Sequence, residues 1–160
     1  MPLGTIRLTQ RFLRGDPPSP AEVERLRREV GELLTMALPA GRPGDRLIGL
    51  RGTVRSLGRI HLAARPADRS RHGLRLRRAD LTAIRSRLER IPGRLRHHVR
   101  GLKAERADTI LAGVLVLEEL MQRLGRQADL TVCTAGVRDG LLWGEAFGGR
   151  AWGRAQDEPA

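Results

Sequence analysis

The segment from Asp108 to Leu124 constrains this chain more than any other. Ile110, Val114, Leu117, Met121 and Leu124 recur at intervals of four, three, four and three residues, the period of a helix with one apolar stripe. Leu115 and Val116 widen the stripe, so the helix is expected to be covered on more than one side. Such a helix belongs between layers rather than at the rim of a domain. Gly125 follows as its C-cap, where a left-handed residue ends the run.

The flanking segments supply partners for it. Leu3 to Thr9 reads as a strand, with Ile6 and Leu8 on one face. After the turn cluster Gly15-Asp16-Pro17-Pro18, Ser19-Pro20-Ala21-Glu22 is a capping box with proline at the first helical position. Val23, Leu26, Val30, Leu33, Leu34 and Ala37 form that helix's stripe, which Pro39 and Gly41 end. Leu47 to Leu50 reads as a short strand, and Gly52-Thr53 opens a helix with Val54, Leu57 and His61 on one face. Arg65 to Arg78 is basic and irregular. Asp80 then caps a helix carrying Leu81, Ile84 and Leu88, closed by Pro92-Gly93. Leu130 to Thr134 is a last strand and Gly136 to Phe147 a short helix. Residues 148–160, with a lone Trp152, read as a disordered tail. This order implies an α/β domain over residues 1–147 with a mainly parallel core sheet. Ligands of such sheets bind at the carboxyl ends of the strands, where both glycine loops, 49–53 and 136–140, are expected.

Composition narrows the partners. The net charge of +12 suits a polyanion. However, Lys103 is the only lysine, tyrosine is absent, and glycine and alanine abound. A GC-rich coding sequence imposes that skew on ordinary surfaces, so charge alone is a weak argument. Cys133 stands alone, which excludes an intrachain disulfide or a cysteine-based zinc site. It falls in a strand, where a buried, inert thiol is the common case. His61, His72, His97 and His98 lack metal-ligand spacing, and Ser56, Ser70 and Ser86 lack a nucleophile elbow. With no signal pattern and no apolar run of about 20 residues, a soluble cytoplasmic protein is expected.

Gly49-Leu50-Arg51-Gly52-Thr53 is the candidate phosphate site. Glycines between a strand and a helix let backbone approach an oxyanion, the free amides of the helix start point at it, and Thr53 as N-cap adds a hydroxyl. The same residues also suit an ordinary capped turn. Arg51 either grips an extra phosphate or fills the cleft. Gly136-Val137-Arg138-Asp139-Gly140 reads as a surface turn with a local Arg138–Asp139 contact. His97-His98, in the basic run Arg94 to Arg100, reads as a solvated helix end.

Three segments carry a family resemblance. Pro2 to Thr9, Gly49 to Thr53, and Arg106 to Gly113 followed by Thr131 to Leu142 resemble, in that order, the exopolyphosphatase / guanosine pentaphosphate phosphohydrolase (Ppx/GppA phosphatase) family. The resemblance implies the later part of an actin-like (ribonuclease-H-like) second domain, with the first two strands missing and the chain starting at strand three. It implies hydrolysis of terminal phosphoanhydrides with a magnesium-type ion, polyphosphate or a phosphorylated guanosine nucleotide being the substrate. Gly49, Arg51, Gly52 and Thr53 match the family's glycine loop on the wall of the phosphate cleft, with Arg51 where the family carries a small residue. Arg106 and Asp108 match a pair at the start of the long helix, with a structural role, and His72-Gly73 resembles a loop segment. The family's catalytic acid and two main phosphate loops have no counterpart here. No catalytic residue, metal ligand or cofactor is therefore assigned within this chain, and it is expected to be inactive alone. A gene fragment, a mistaken start codon or one piece of a split protein, completed by a partner chain, would each produce this pattern. The alternative is a non-enzymatic basic protein that binds polyphosphate or nucleic acid through Arg65–Arg78 and Arg94–Arg100.

Overall fold

The helix singled out by its apolar run is the hub of the molecule. The computed structural model describes residues 3–42, 45–65, 70–125 and 129–146, and in it this helix spans Ile110–Arg123. Six consecutive residues, Ile110 to Leu115, are buried. They exceed one full turn, so the helix is covered all round at that level. Around it (α5) pack α1 (Thr5–Phe12), α2 (Pro20–Ala37), α3 (Arg51–Ala64) and α4 (Arg78–Glu89). Gly113 permits a close approach. A Cβ there would lie 2.5 Å from the Thr53 methyl of α3 and 3.4 Å from the Thr5 methyl of α1. The cover on more than one side expected for this helix comes from four helices, α1 among them.

Residues 3–9 do not form a strand. Thr5, Leu8 and Phe12 lie on one helical face against the core, with Leu8 2% exposed, while Ile6 is 64% exposed. Two apolar residues spaced by two suggested alternation, but burial follows a spacing of three and four. With no strand at this point, the chain does not start at a strand three.

The sheet is small and mixed where a mainly parallel one was expected. β1 (Leu47–Gly49), β2 (Arg75–Leu76) and β3 (Leu130–Val132) lie in the order β1-β3-β2. β1 and β3 are parallel, with Leu47 opposite Leu130 and Gly49 opposite Val132. β2 runs antiparallel to β3 and lies in the stretch read as irregular. Its fully buried Leu76 and an Arg75–Asp129 ion pair of 2.9 Å anchor it. The last helix, α6, spans Val137–Ala146. The expected tail at 148–160 lies outside the described residues.

Local chemistry explains the helix boundaries. At α2 the capping box forms as expected. Glu22 accepts from the Ser19 amide at 2.8 Å, the Gly15 amide at 3.0 Å, the Ser19 hydroxyl at 2.8 Å and the Arg14 amide at 2.9 Å. Led by the Ser19 and Gly15 amides, these bonds lower the Glu22 pKa from 4.5 to about 2. At α4 the N-cap is Arg77, not Asp80. Asp80 sits in the first turn and accepts from the Arg77 amide at 2.9 Å. It also meets His61 at 3.7 Å and Arg65 at 3.4 Å.

A buried charged cluster ties α2, α4 and α5 together. Glu118, 2% exposed, accepts from the Thr82 hydroxyl at 2.8 Å and forms an ion pair with Arg85, whose Nε lies 2.8 Å away, with Arg27 at 3.9 Å. Burial works against the Arg85 charge, but Glu89 and Glu118 outweigh it and raise its pKa. Arg96, in the 3-10 helix Gly93–His98, is buried as well. It is 5% exposed and donates to the Leu88 and Ile91 carbonyls at 3.1 and 3.0 Å. Burial pushes its pKa down, opposed by Asp16 and Asp108. The run Arg94 to Arg100 is therefore not a wholly solvated end.

Two outcomes follow from these contacts. Replacing Glu118 with alanine leaves Arg85 facing a void and is expected to cost about 3 kcal/mol, read from the urea midpoint. An unchanged midpoint would mean that the cluster is not cohesive. Glu22 supports the fold fully above its unperturbed pKa of 4.5 and loses that contribution as pH falls through about 2. Glu22→Gln should flatten the acid limb of stability against pH over that window.

Candidate anion-binding site

Because β1 and β3 run parallel, their carboxyl ends open on the same side of the sheet. The Cys133 amide donates to the Gly49 carbonyl at 2.9 Å, which closes the ladder just before the two loops part. Beyond it lies a cleft of about 710 Å³ bordered by both loops and by the segment leading into α5. Among the described residues, Arg51, Arg55, Arg59, Lys103, Arg106 and Arg138 line it, against two carboxylates, Glu105 and Asp139.

The start of α3 forms the centre of this cleft. Its N-cap is Leu50, no side chain caps it, and its first turn holds no acidic residue. Its leading amides therefore lack side-chain acceptors, and the helix dipole adds partial positive charge. Arg51 is held at a φ of 74°, a left-handed conformation that costs an L-residue about 1–2 kcal/mol. Gly52 has no Cβ because the Arg106 guanidinium occupies that space.

Backbone carbonyls orient Arg55 and Arg59. Arg55 donates to the Thr134 carbonyl, and its Nε is buried without a partner. His72 Nδ1 lies 3.1 Å from the Thr134 hydroxyl and 3.3 Å from its amide. Arg59 donates to the Gly101 carbonyl and the Ser56 hydroxyl, both at 3.1 Å. Gly101, at a φ of 88°, permits this: a Cβ there would be 2.5 Å from the Arg59 carbonyl oxygen. Lys103 meets Glu105 at 3.8 Å. Asp139, in the first turn of α6, accepts from the Gly136 amide at 2.5 Å, where a local contact with Arg138 was expected.

The four residues read as the phosphate loop divide in two. Arg51 and Gly52 border the cleft. Gly49 is buried, and its absent side chain is replaced by the Val54 methyls and Leu130 Cδ1, within 2.6–2.8 Å of where a Cβ would stand. Thr53 is not the N-cap; it lies in the first turn with its methyl on Gly113. Asp108 likewise precedes α5, whose first turn contains no acid. Arg106, read as structural, belongs to the cleft. One signal for the rest was present in the chain: Arg51, Arg55 and Arg59 recur every four residues, one stripe along α3. Cys133 is a half-buried free thiol just beyond β3. His97 and His98 are exposed, with ring centroids 3.9 Å apart.

Comparison with known proteins identifies relatives of the chain. The model of the Ppx/GppA phosphatase family matches residues 1–147. Exopolyphosphatase 1 of Mycobacterium leprae is 33% identical over 146 residues, covering 89% of this chain and 42% of that protein. Exopolyphosphatase 2 of Mycobacterium tuberculosis is 33% identical over 148 residues, covering 87% and 46%. The crystal structure of the Aquifex aeolicus member of the Ppx/GppA protein family matches with a TM-score of 0.81 at 27% identity, over 94% of this chain and 48% of that one. The chain thus spans less than half the length of these relatives. The fold is that of actin-like proteins of the same group, and the chain belongs to the Ppx/GppA phosphatase family.

Proposed function

We propose that the cleft binds the phosphate groups of a condensed polyanion, as one wall of a phosphoanhydride-hydrolysing site. The observation that carries this reading is the uncapped start of α3, ringed by Arg51, Arg55 and Arg106. Like charges gathered on a helix N-terminus repel one another, and a bound anion turns that repulsion into attraction. Exopolyphosphatase relatives make a phosphate chain the favoured anion, with a phosphorylated guanosine nucleotide second.

Phosphoryl transfer draws on positioning and on stabilisation of charge at the phosphoryl oxygens. Guanidinium groups such as Arg55 and Arg106 supply both, by paired hydrogen bonds and fixed charge. Activating water needs a base, and Glu105 and Asp139 are poor candidates. Glu105 is exposed beside Lys103, and Asp139 is engaged by the Gly136 amide. The family's magnesium-type ion also fits these residues badly. Among the described residues no group of three His, Cys, Asp or Glu could hold a metal, and the cleft's two carboxylates are outnumbered by cations. No step through such an ion is derived. This chain binds, and a second polypeptide completes the hydrolytic site, in the cytoplasm. Among the described residues, no helix is long and apolar enough to cross a membrane.

Titration calorimetry with pyrophosphate and short-chain polyphosphate at fixed ionic strength tests the reading. Arg106→Ala should remove about 1.5–3 kcal/mol of binding, the value of a charge-assisted hydrogen bond. Wild-type affinity should fall steeply with salt, and phosphate release should be absent. An Arg106→Ala variant that binds as well as wild type would sink the proposal. Preferential binding of single-stranded RNA would favour a general polyanion binder instead, although an aromatic content of 2% leaves little surface for base stacking. Arg51→Gly relieves the left-handed strain and is expected to stabilise the fold by about 1 kcal/mol while strengthening pyrophosphate binding. Weaker binding would mean that Arg51 grips the anion rather than crowding the amides.

A further inference from the structure

Beyond Val132, the last residue of β3, the chain is held differently on its two sides. Toward β1, the Cys133 amide donates to the Gly49 carbonyl. Toward β2, the Val132 amide donates to the Leu74 carbonyl at 2.8 Å, and the Gly73 amide donates to the Val132 carbonyl at 2.9 Å. Alternation makes the Thr134 amide the next donor on that side. Its acceptor is a side chain: the amide donates to His72 Nδ1 at 3.3 Å. An amide can only donate, so Nδ1 accepts and the imidazole proton sits on Nε2. The Thr134 hydroxyl, 3.1 Å from the same nitrogen, then donates as well.

His72 is itself held in place. Gly73 turns the chain at a φ of 78°, a conformation that favours glycine, and the His72 carbonyl accepts from the Ser70 hydroxyl at 3.1 Å. With its amide and hydroxyl both engaged, Thr134 is fixed at Cα, and one backbone rotation separates that anchor from its carbonyl. The carbonyl receives Arg55 from α3. Arg55 borders the cleft, whereas His72 is not among the described residues that line it. We propose, resting on the anion-binding reading above, that His72 is a positioning residue of the anion site: it holds Thr134 so that the Thr134 carbonyl keeps the Arg55 guanidinium at the cleft. Without that anchor Arg55 gains rotamers that an anion must freeze again on binding.

The test uses the full chain and pyrophosphate, by titration calorimetry at fixed ionic strength. His72→Ala should weaken binding about fivefold, the equivalent of one neutral hydrogen bond. His72→Asn should restore it, because asparagine Oδ1 offers an acceptor where Nδ1 stood. In an Arg55→Ala background, His72→Ala should cause no further loss, since the two residues act as one unit. A second readout needs no ligand. Arg55 Nε is buried, so its hydrogen should exchange slowly by NMR, at least about tenfold faster in His72→Ala, and slowly again in His72→Asn. His72→Gln, whose acceptor lies one bond further out, replaces the alanine variant should that fail to fold by circular dichroism. Unchanged Arg55 exchange in the folded variants overturns the inference, as does the same fivefold loss with and without Arg55. Faster Arg55 exchange in His72→Ala, with no pyrophosphate bound by the wild type, would uphold the hold of His72 on Arg55 and sink the anion-binding reading instead.

Discussion

The close contact between Gly113 of α5 and Thr53 of α3 governs how the layers of this protein meet. A helix buried over a full turn needs neighbours close on every side, and helices approach closely only where a side chain is small. Gly113 provides that place, so α1 and α3 both reach the α5 backbone, while Glu118, a turn further on, gathers α2 and α4 through buried charge. Apolar contact runs the length of α5, and buried charge at Glu118 is added to it.

That arrangement also brings the cleft together. α3 follows β1, α6 follows β3, and the segment carrying Lys103 and Arg106 leads into α5. Three stretches remote in sequence converge because the parallel strands end on one side and because α5 lies against α3. The cations collect around backbone amides rather than around carboxylates, and hydrogen bonds to the Thr134 and Gly101 carbonyls orient them. Such a surface stays hydrated and repulsive until an anion arrives.

Much of this was legible in the chain where the determining interactions are local. Ser19 and Glu22 bond to each other across three residues, so the start of α2 was readable, as was the apolar run of α5. Leu3 to Thr9 misled because two apolar residues cannot distinguish a period of two from one of three or four; the face was chosen by Gly113, a hundred residues away. β2 is too short to carry a pattern and exists through its pairing with β3. Arg51, Arg55 and Arg59 form a stripe that spacing reveals, whereas Arg106 reaches the site only through the packing of α3 on α5. Gly49 and Thr53 matched a phosphate loop by residue type, yet both face the core.

The Thr53–Gly113 contact has a consequence for the kind of ligand the cleft measures. The interval between the Arg106 guanidinium and the α3 amides is set by a methyl group resting on a glycine, in a contact from which water is excluded. Ionic strength screens the cations but leaves that contact untouched. Spacing and affinity thus have separate origins, so changing conditions can loosen the hold on an anion without altering the charge separation that the cleft gauges.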